Sequence, residues 1–182
     1  MLLNDGLETI GKECFEECGL EQVSIPGSVR LISGYAFSGS YLRQVCFLGT
    51  AGNGSHCEPK QHAGCPSSDT EDSHLESEQH LVIGEAAFSD CKDLKQIVFE
   101  PGAAVAEIQC KAFRCSGLES FTAPPSLRKI DALAFQDCYN LKTFWLNEDI
   151  QEVGWLCLLR TGTETLSLPP HIRMTREQLG LD

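Results

Sequence analysis

The sequence predicts an α/β solenoid of about six turns, and three observations predict it. A hexapeptide returns at near-constant spacing, a short alternating segment follows each return, and no single copy carries enough apolar residues to fold alone.

The hexapeptide is Ile10-Gly11-Lys12-Glu13-Cys14-Phe15. It returns as Ile32-Ser33-Gly34-Tyr35-Ala36-Phe37, and again over 83–88, 108–113 and 130–135, each opening on Ile and closing on Ala-Phe. A degenerate copy opens at Val153 and carries Cys157-Leu158 in place of Ala-Phe. The leading residues lie 22, 51, 25, 22 and 23 positions apart. The long interval is one period plus an insertion of roughly 28 residues, because repeats of this kind run about 20–29 residues.

A leucine follows each phenylalanine by five or six residues: Leu20, Leu42, Leu94, Leu118 and Leu141. The alternating segments come next, for example Val23-Ser24-Ile25, Val45-Cys46-Phe47 and Phe144-Trp145-Leu146. Period-two alternation marks a half-buried strand. Proline closes several of them, at Pro26, Pro101, Pro124 and Pro169, where the ladder needs no further donor. An aliphatic residue follows (Val29, Val105, Leu127, Ile150, Ile172), and the next copy opens.

One copy offers about six apolar side chains, worth roughly 1.5–3 kcal/mol each on burial. Ordering its ~22 backbones costs about 1–2 kcal/mol each, so an isolated copy does not stand. Stacked copies bury one another's faces, and stability belongs to the array.

The assembled pattern, Ile-x-x-x-Ala-Phe-x-x-Cys-x-x-Leu-x-x-Ile-x-Ile-Pro, resembles the BspA-like (Treponema-type) subclass of leucine-rich repeat proteins over nearly the whole chain. The resemblance implies a leucine-rich repeat right-handed superhelix with a short parallel sheet on its concave face. It also implies a non-catalytic protein-binding scaffold, for interaction or adhesion, often at a cell surface. Members share a scaffold and not one activity.

One domain is expected over 1–182, with an inserted acidic loop at 49–80 and a C-terminal cap at 173–182. Thr175-Arg176-Glu177-Gln178 fits a capping box that opens a short helix. At the other end Leu3 matches Ile25 and Leu7 matches Val29, so the first strand position has no polar cap before it. A truncated chain or an end covered by a partner is the expectation, and end-to-end self-association through this coil stays open.

The insertion holds six carboxylates against the lone Lys60 and reads as a mobile loop. It also carries His56, His62, His74, His80, Cys57 and Cys65. Their spacing is neither a paired Cys-x-x-Cys nor a helical His pair, so no metal site is expected; a local Cys57–Cys65 disulfide stays open. Asn53-Gly54-Ser55 is a glycosylation acceptor pattern only in a secreted eukaryotic chain. Gly49, Gly52 and Gly54 lack the Lys-Ser/Thr that completes a phosphate cradle.

Cys18, Cys91, Cys115 and Cys138 recur just before the repeat leucine, and Cys14 and Cys157 replace the small alanine. The recurrence reads as a small buried hydrophobe. Free thiols favour a reducing compartment, whereas the resemblance implies a cell surface, so the sequence leaves localisation undecided.

The balance of 14 basic and 26 acidic residues gives a net charge of −12, which repels phosphate backbones and argues against nucleic acid. No apolar run of membrane-spanning length exists, so no membrane insertion is expected. The partner expected is another protein, met on the outward column beside the buried strand positions. That column comprises Gln22, Ser24, Gln44, Cys46, Gln96, Val98, Ser120, Thr122, Thr143, Trp145, Thr165 and Ser167. Trp145 is its candidate anchor; Tyr35, Tyr41 and Tyr139 are assigned to packing on the opposite side. No serine or cysteine has a recognisable catalytic partner, so no enzyme and no cofactor are expected. An architectural segment of a longer surface or sensor protein is the alternative reading.

Overall fold

The computed structural model describes residues 1–49 and 80–181. They form a β-solenoid of about six turns, each turn contributing two short strands. The opening strands are β1 (Thr9–Ile10), β3 (Leu31–Ile32), β5 (Leu81–Ile83), β7 (Val105–Ile108), β9 (Lys129–Ile130) and β11 (Glu152–Val153). The alternating segments are β2 (Gln22–Ile25), β4 (Gln44–Phe47), β6 (Gln96–Phe99), β8 (Ser120–Thr122), β10 (Thr143–Trp145) and β12 (Thr165–Ser167). All strand pairs are parallel, and Ile10, Ile32, Ile83, Ile108, Ile130 and Val153 fall in one column.

The two faces differ. The opening strands make one unbroken six-stranded sheet, whereas the alternating segments make two sheets of three, β2–β4–β6 and β8–β10–β12. The short sheet implied for one face is therefore interrupted midway.

Between the strand faces each Ala-Phe segment is a run of turns, and the only helix among the described residues is α1 (Arg176–Leu179). Two residues per turn adopt left-handed backbone. Glu13, Tyr35, Ala86, Lys111, Leu133 and Leu156 form one such column, with φ between 51° and 60°. Glu17, Gly39, Asp90, Cys115, Asp137 and Arg160 form the other, and only one member is a glycine. A side chain in this region costs roughly 1–2 kcal/mol. The bends aim main-chain N–H groups at the next turn: Tyr35 donates to Glu85, Phe37 to Ala87 and Gly39 to Ser89, at 2.8–3.0 Å. The turns are thus laddered like the strands.

The core follows the same file. Phe15, Phe37, Phe88, Phe113 and Phe135 stack with ring centroids 5.0, 5.1, 5.4 and 5.4 Å apart. That is close to the ~4.8 Å spacing of paired strands, so one repeat of the backbone sets one repeat of the rings. At the far end Thr175 and Gln178 form a reciprocal capping box and Gly180 closes α1 in a left-handed cap. Leu156 and Leu158 donate to the carbonyls of Gln178 and Leu179, so α1 continues the ladder by one step.

Cys91 and Cys138 are buried, but they are more than small hydrophobes. Their column alternates Cys18, Ser40, Cys91, Ser116, Cys138, Thr161. The Cys91 thiol donates to the Phe37 carbonyl at 3.1 Å and touches the Ser40 hydroxyl at 3.4 Å. Cys138 repeats this with Phe113 and Ser116, at 3.0 and 3.2 Å. Because Ser alternates with Cys, successive thiols in this column lie two turns apart, beyond the roughly 4.4–6.8 Å Cα separation a disulfide needs. The eight described cysteines are free. Cys115 leaves the column and takes the left-handed position of Asp90 and Asp137.

Candidate functional site

The outward column is held by strand register. Gln22, Gln44 and Gln96 align, as do Ser24, Cys46 and Val98. Beyond the interruption Ser120, Thr143 and Thr165 align, as do Thr122, Trp145 and Ser167. None of the twelve is buried, and Trp145 is 49% exposed. Gln44 donates from Nε2 to Gln96 Oε1 at 3.5 Å, and the Cys46 thiol lies 3.8 Å from Glu100 Oε1. Desolvation, with the Glu100 carboxylate beside it, raises the pKa of Cys46, so this thiol stays protonated and is a poor nucleophile. The structure brings the column together as two blocks of six, not one run of twelve.

Between the blocks lies a feature that the column did not anticipate. A cleft of about 660 Å³ opens between β6 and β8. Its walls include Ile97, Val98, Phe99, Pro101, Ala123 and Pro124, and the column residues Gln96 and Thr122 reach it as well.

Three local causes open it. The first is chain length: this turn is the 25-residue interval, and the pairing of β5 with β7 slips between Leu81 and Val82, leaving Ala106 as an extra residue. A bulge bends its strand and increases twist. The turn closed by Val29 N–H to Pro26 is closed here by Ala103 N–H to Glu100, while Val105 keeps the fully buried place that Val29 and Leu127 hold in their turns. The second cause is size. Ile25, Phe47 and Phe99 fill one inward column, and the next turn places Ala123 there. Its bulk moves to Phe121, which leans on Phe135 at 4.8 Å and meets Phe99 edge-on at 6.2 Å. Phe99 keeps its stack on Phe47 at 5.2 Å but is only partly buried. The third cause is Pro124. Leu48 and Glu100 donate their N–H groups to Ile25 and Phe47 of the preceding turn; Pro124 holds that place and has no N–H to give Phe99.

The tyrosines assigned to packing are exposed instead: Tyr35 39%, Tyr41 62% and Tyr139 64%. Their rings project from turns whose inward positions are taken by the Ala and Phe columns. The Tyr139 hydroxyl donates to Asp137, which Arg160 also binds at 2.8 Å. Trp155, in the degenerate sixth copy, is 64% exposed and lies outside the outward column. Among the described residues no cluster of His, Cys, Asp or Glu could hold a metal ion. The insertion's candidate ligands His56, His62, His74, Cys57 and Cys65, its Asn53 acceptor pattern, and Gly52 and Gly54 lie outside the described residues.

Comparison with known proteins agrees with this architecture. A family model described as the BspA type leucine-rich repeat region matches residues 1–53 and 67–178 in six copies. The fold resembles the crystal structure of a leucine-rich repeat protein from Bacteroides ovatus, at 17% identity and a TM-score of 0.51 over 90% of this chain and 47% of that one. It also matches the pneumococcal vaccine antigen PcpA, at 21% identity and a TM-score of 0.47 over 79% of this chain and 36% of that one. The chain therefore spans under half the length of either structure. No curated protein gives a significant match. Six stacked copies of one motif, matched along most of its length, place the chain in the BspA-type leucine-rich repeat family.

Proposed function

We propose that the chain is a non-catalytic protein-binding module that uses the outward column of its interrupted strand face. The observation that supports this most is the column itself. Twelve side chains are held outward by backbone register, they are mainly neutral and polar, and an exposed Trp145 stands among them. Binding surfaces gain most from large aromatic anchors ringed by small polar groups. A rigid array loses little conformational freedom on binding, so more of the contact energy appears as affinity.

Site-specific photo-crosslinking tests the reading. A benzophenone amino acid replacing Ser24 or Thr165 should trap the same partner, and one replacing Glu152, on the continuous sheet, should not. Trp145→Ala should reduce capture at least tenfold. Capture that is equal from both faces, or indifferent to Trp145, sinks the proposal.

A second reading, an architectural segment of a longer surface or sensor protein, is favoured by the chain's covering only 47% of the Bacteroides ovatus structure that it resembles. Further copies encoded next to this segment, together with a column indifferent to mutation, would select it.

A further inference from the structure

The cleft between β6 and β8 differs from the column in chemistry, because it offers main-chain groups as well as side chains. Gln44 in β4 and Glu100, the residue after β6, donate backward, to Glu21 and Phe47. Strand geometry alternates, so Ile97 and Phe99 direct their main-chain groups forward, towards β8. Across the gap Ala123 donates forward to Trp145, so Thr122 faces back towards β6. Past the bond from Glu119 N–H to Lys95, no ladder joins these two edges among the described residues. Unpaired edges of this kind are templates for a further strand.

The side walls add two requirements. Ile97, Phe99, Ala123 and Pro124 make an apolar floor, in a space that a Phe-sized residue would occupy had the column continued through Ala123. The rim carries one acid, Glu100, which lines the cleft and is exposed. Arg128, the nearby cation, donates to the carbonyls of Pro125 and Leu127.

We infer that the cleft is a binding site for an extended, basic-flanked segment of a partner protein, which adds as a strand to β6 and seats one apolar side chain against Phe99 and Ala123. The inference rests on the binding-module reading and deepens it. Backbone pairing would supply affinity with little sequence preference, the apolar seat one anchor position, and the Glu100 carboxylate, in a chain of net charge −12, the choice of flank.

Fluorescence polarisation with labelled peptides Lys-Lys-Thr-Val-x-Val-Thr-Lys-Lys, x being Val, Leu, Ile or Phe, tests it. At least one should bind saturably. Replacing the lysines by glutamates, or N-methylating the two flanking valines, should weaken that peptide tenfold or more. Ala123→Leu, which gives the fourth turn the leucine that the fifth carries at Leu146, should do the same while melting no lower than the parent. Glu100→Lys changes an exposed rim residue and should cost several-fold, so the proposal remains decidable even if Ala123→Leu fails to fold. Absence of saturable binding, or binding indifferent to N-methylation or to cleft filling, overturns the cleft site. The column is scored separately: loss of the crosslinked partner in Trp145→Ala with none of the peptide effects leaves the column reading standing and the cleft refuted.

Discussion

Cys14 and Cys157 occupy the same place in the first and last turns, where the four turns between them carry Ala36, Ala87, Ala112 and Ala134. Yet Cys14 is exposed and Cys157 is fully buried. The difference lies in the next layer. Above the sixth turn α1 supplies two carbonyls to the ladder and lays Leu179, itself fully buried, over the turn. On the outer side of the first turn the matching carbonyls of Lys12, Cys14 and Glu16 accept no main-chain bond from a described residue, and Phe15 is stacked on one face only, by Phe37. Burial here is a property of adjacency: a side chain enters the core because a neighbouring turn covers it, whatever its own turn's sequence.

The largest test compares one residue type in two neighbourhoods. Phe113 is sandwiched between Phe88 and Phe135, so Phe113→Ala should cost about 3–5 kcal/mol in urea unfolding. Phe15→Ala removes a ring covered on one side and should cost about 1–2 kcal/mol. Equal costs would break the comparison. The next effect in size is at the cap: Leu179→Ala should cost about 2–3 kcal/mol and expose Leu158, with the loss read as faster hydrogen exchange at the Leu156 and Leu158 amides. Exchange unchanged there would mean the sixth turn needs no lid.

The left-handed columns give a smaller effect that every turn shares. Gly39 sits at φ 66°, and a Cβ added there would meet Glu17 Cγ at 3.2 Å, so Gly39→Ala should lose about 1 kcal/mol. Lys111→Gly, at φ 57°, relieves the opposite mismatch and should gain about 0.5 kcal/mol after the entropy of glycine is counted. Thermal melts of the two variants should move in opposite directions.

These cases also show what the chain reveals unaided. The inward columns were legible because Ile, Val, Leu and Phe return at fixed spacing, and that spacing is the physical repeat. The left-handed positions were not, since Glu, Tyr, Lys, Leu, Asp and Arg hold them without a glycine signature. Inter-turn hydrogen bonds, which no residue type advertises, stabilise them there. The cleft was half legible. The 25-residue interval announces extra chain, but the space depends on Ala123 following Phe99 in one column and on Pro124 missing a donor, and both need the register first. The Ser and Cys alternation hid for the same reason: counted along the chain the cysteines look irregular, and aligned by turn they take every second place.

The two end thiols give the smallest effect on stability at neutral pH and the most direct reading of coverage. Burial pushes the Cys157 thiol up to about 12, and in Cys14 the same cause raises the pKa without closing off the sulfur. Iodoacetamide at pH 8, followed by peptide mapping, should therefore label Cys14 in the native protein and reach Cys157 only as fast as the last turn opens. Leu179→Ala should raise the Cys157 rate and leave Cys14 unchanged. The sign of the pH dependence follows from which state holds the proton. An unfolded thiol ionises near 9 and native Cys157 near 12, so between those values the unfolded chain binds fewer protons. Stability contributed by this thiol is complete below pH 9 and falls as pH rises towards 12. Cys157→Ala, which installs the residue that the four middle turns already use, should make the alkaline loss shallower. Identical alkaline slopes, or identical labelling of the two cysteines, would mean that α1 does not seal the last turn as Phe37 and its turn cover the inner side of the first.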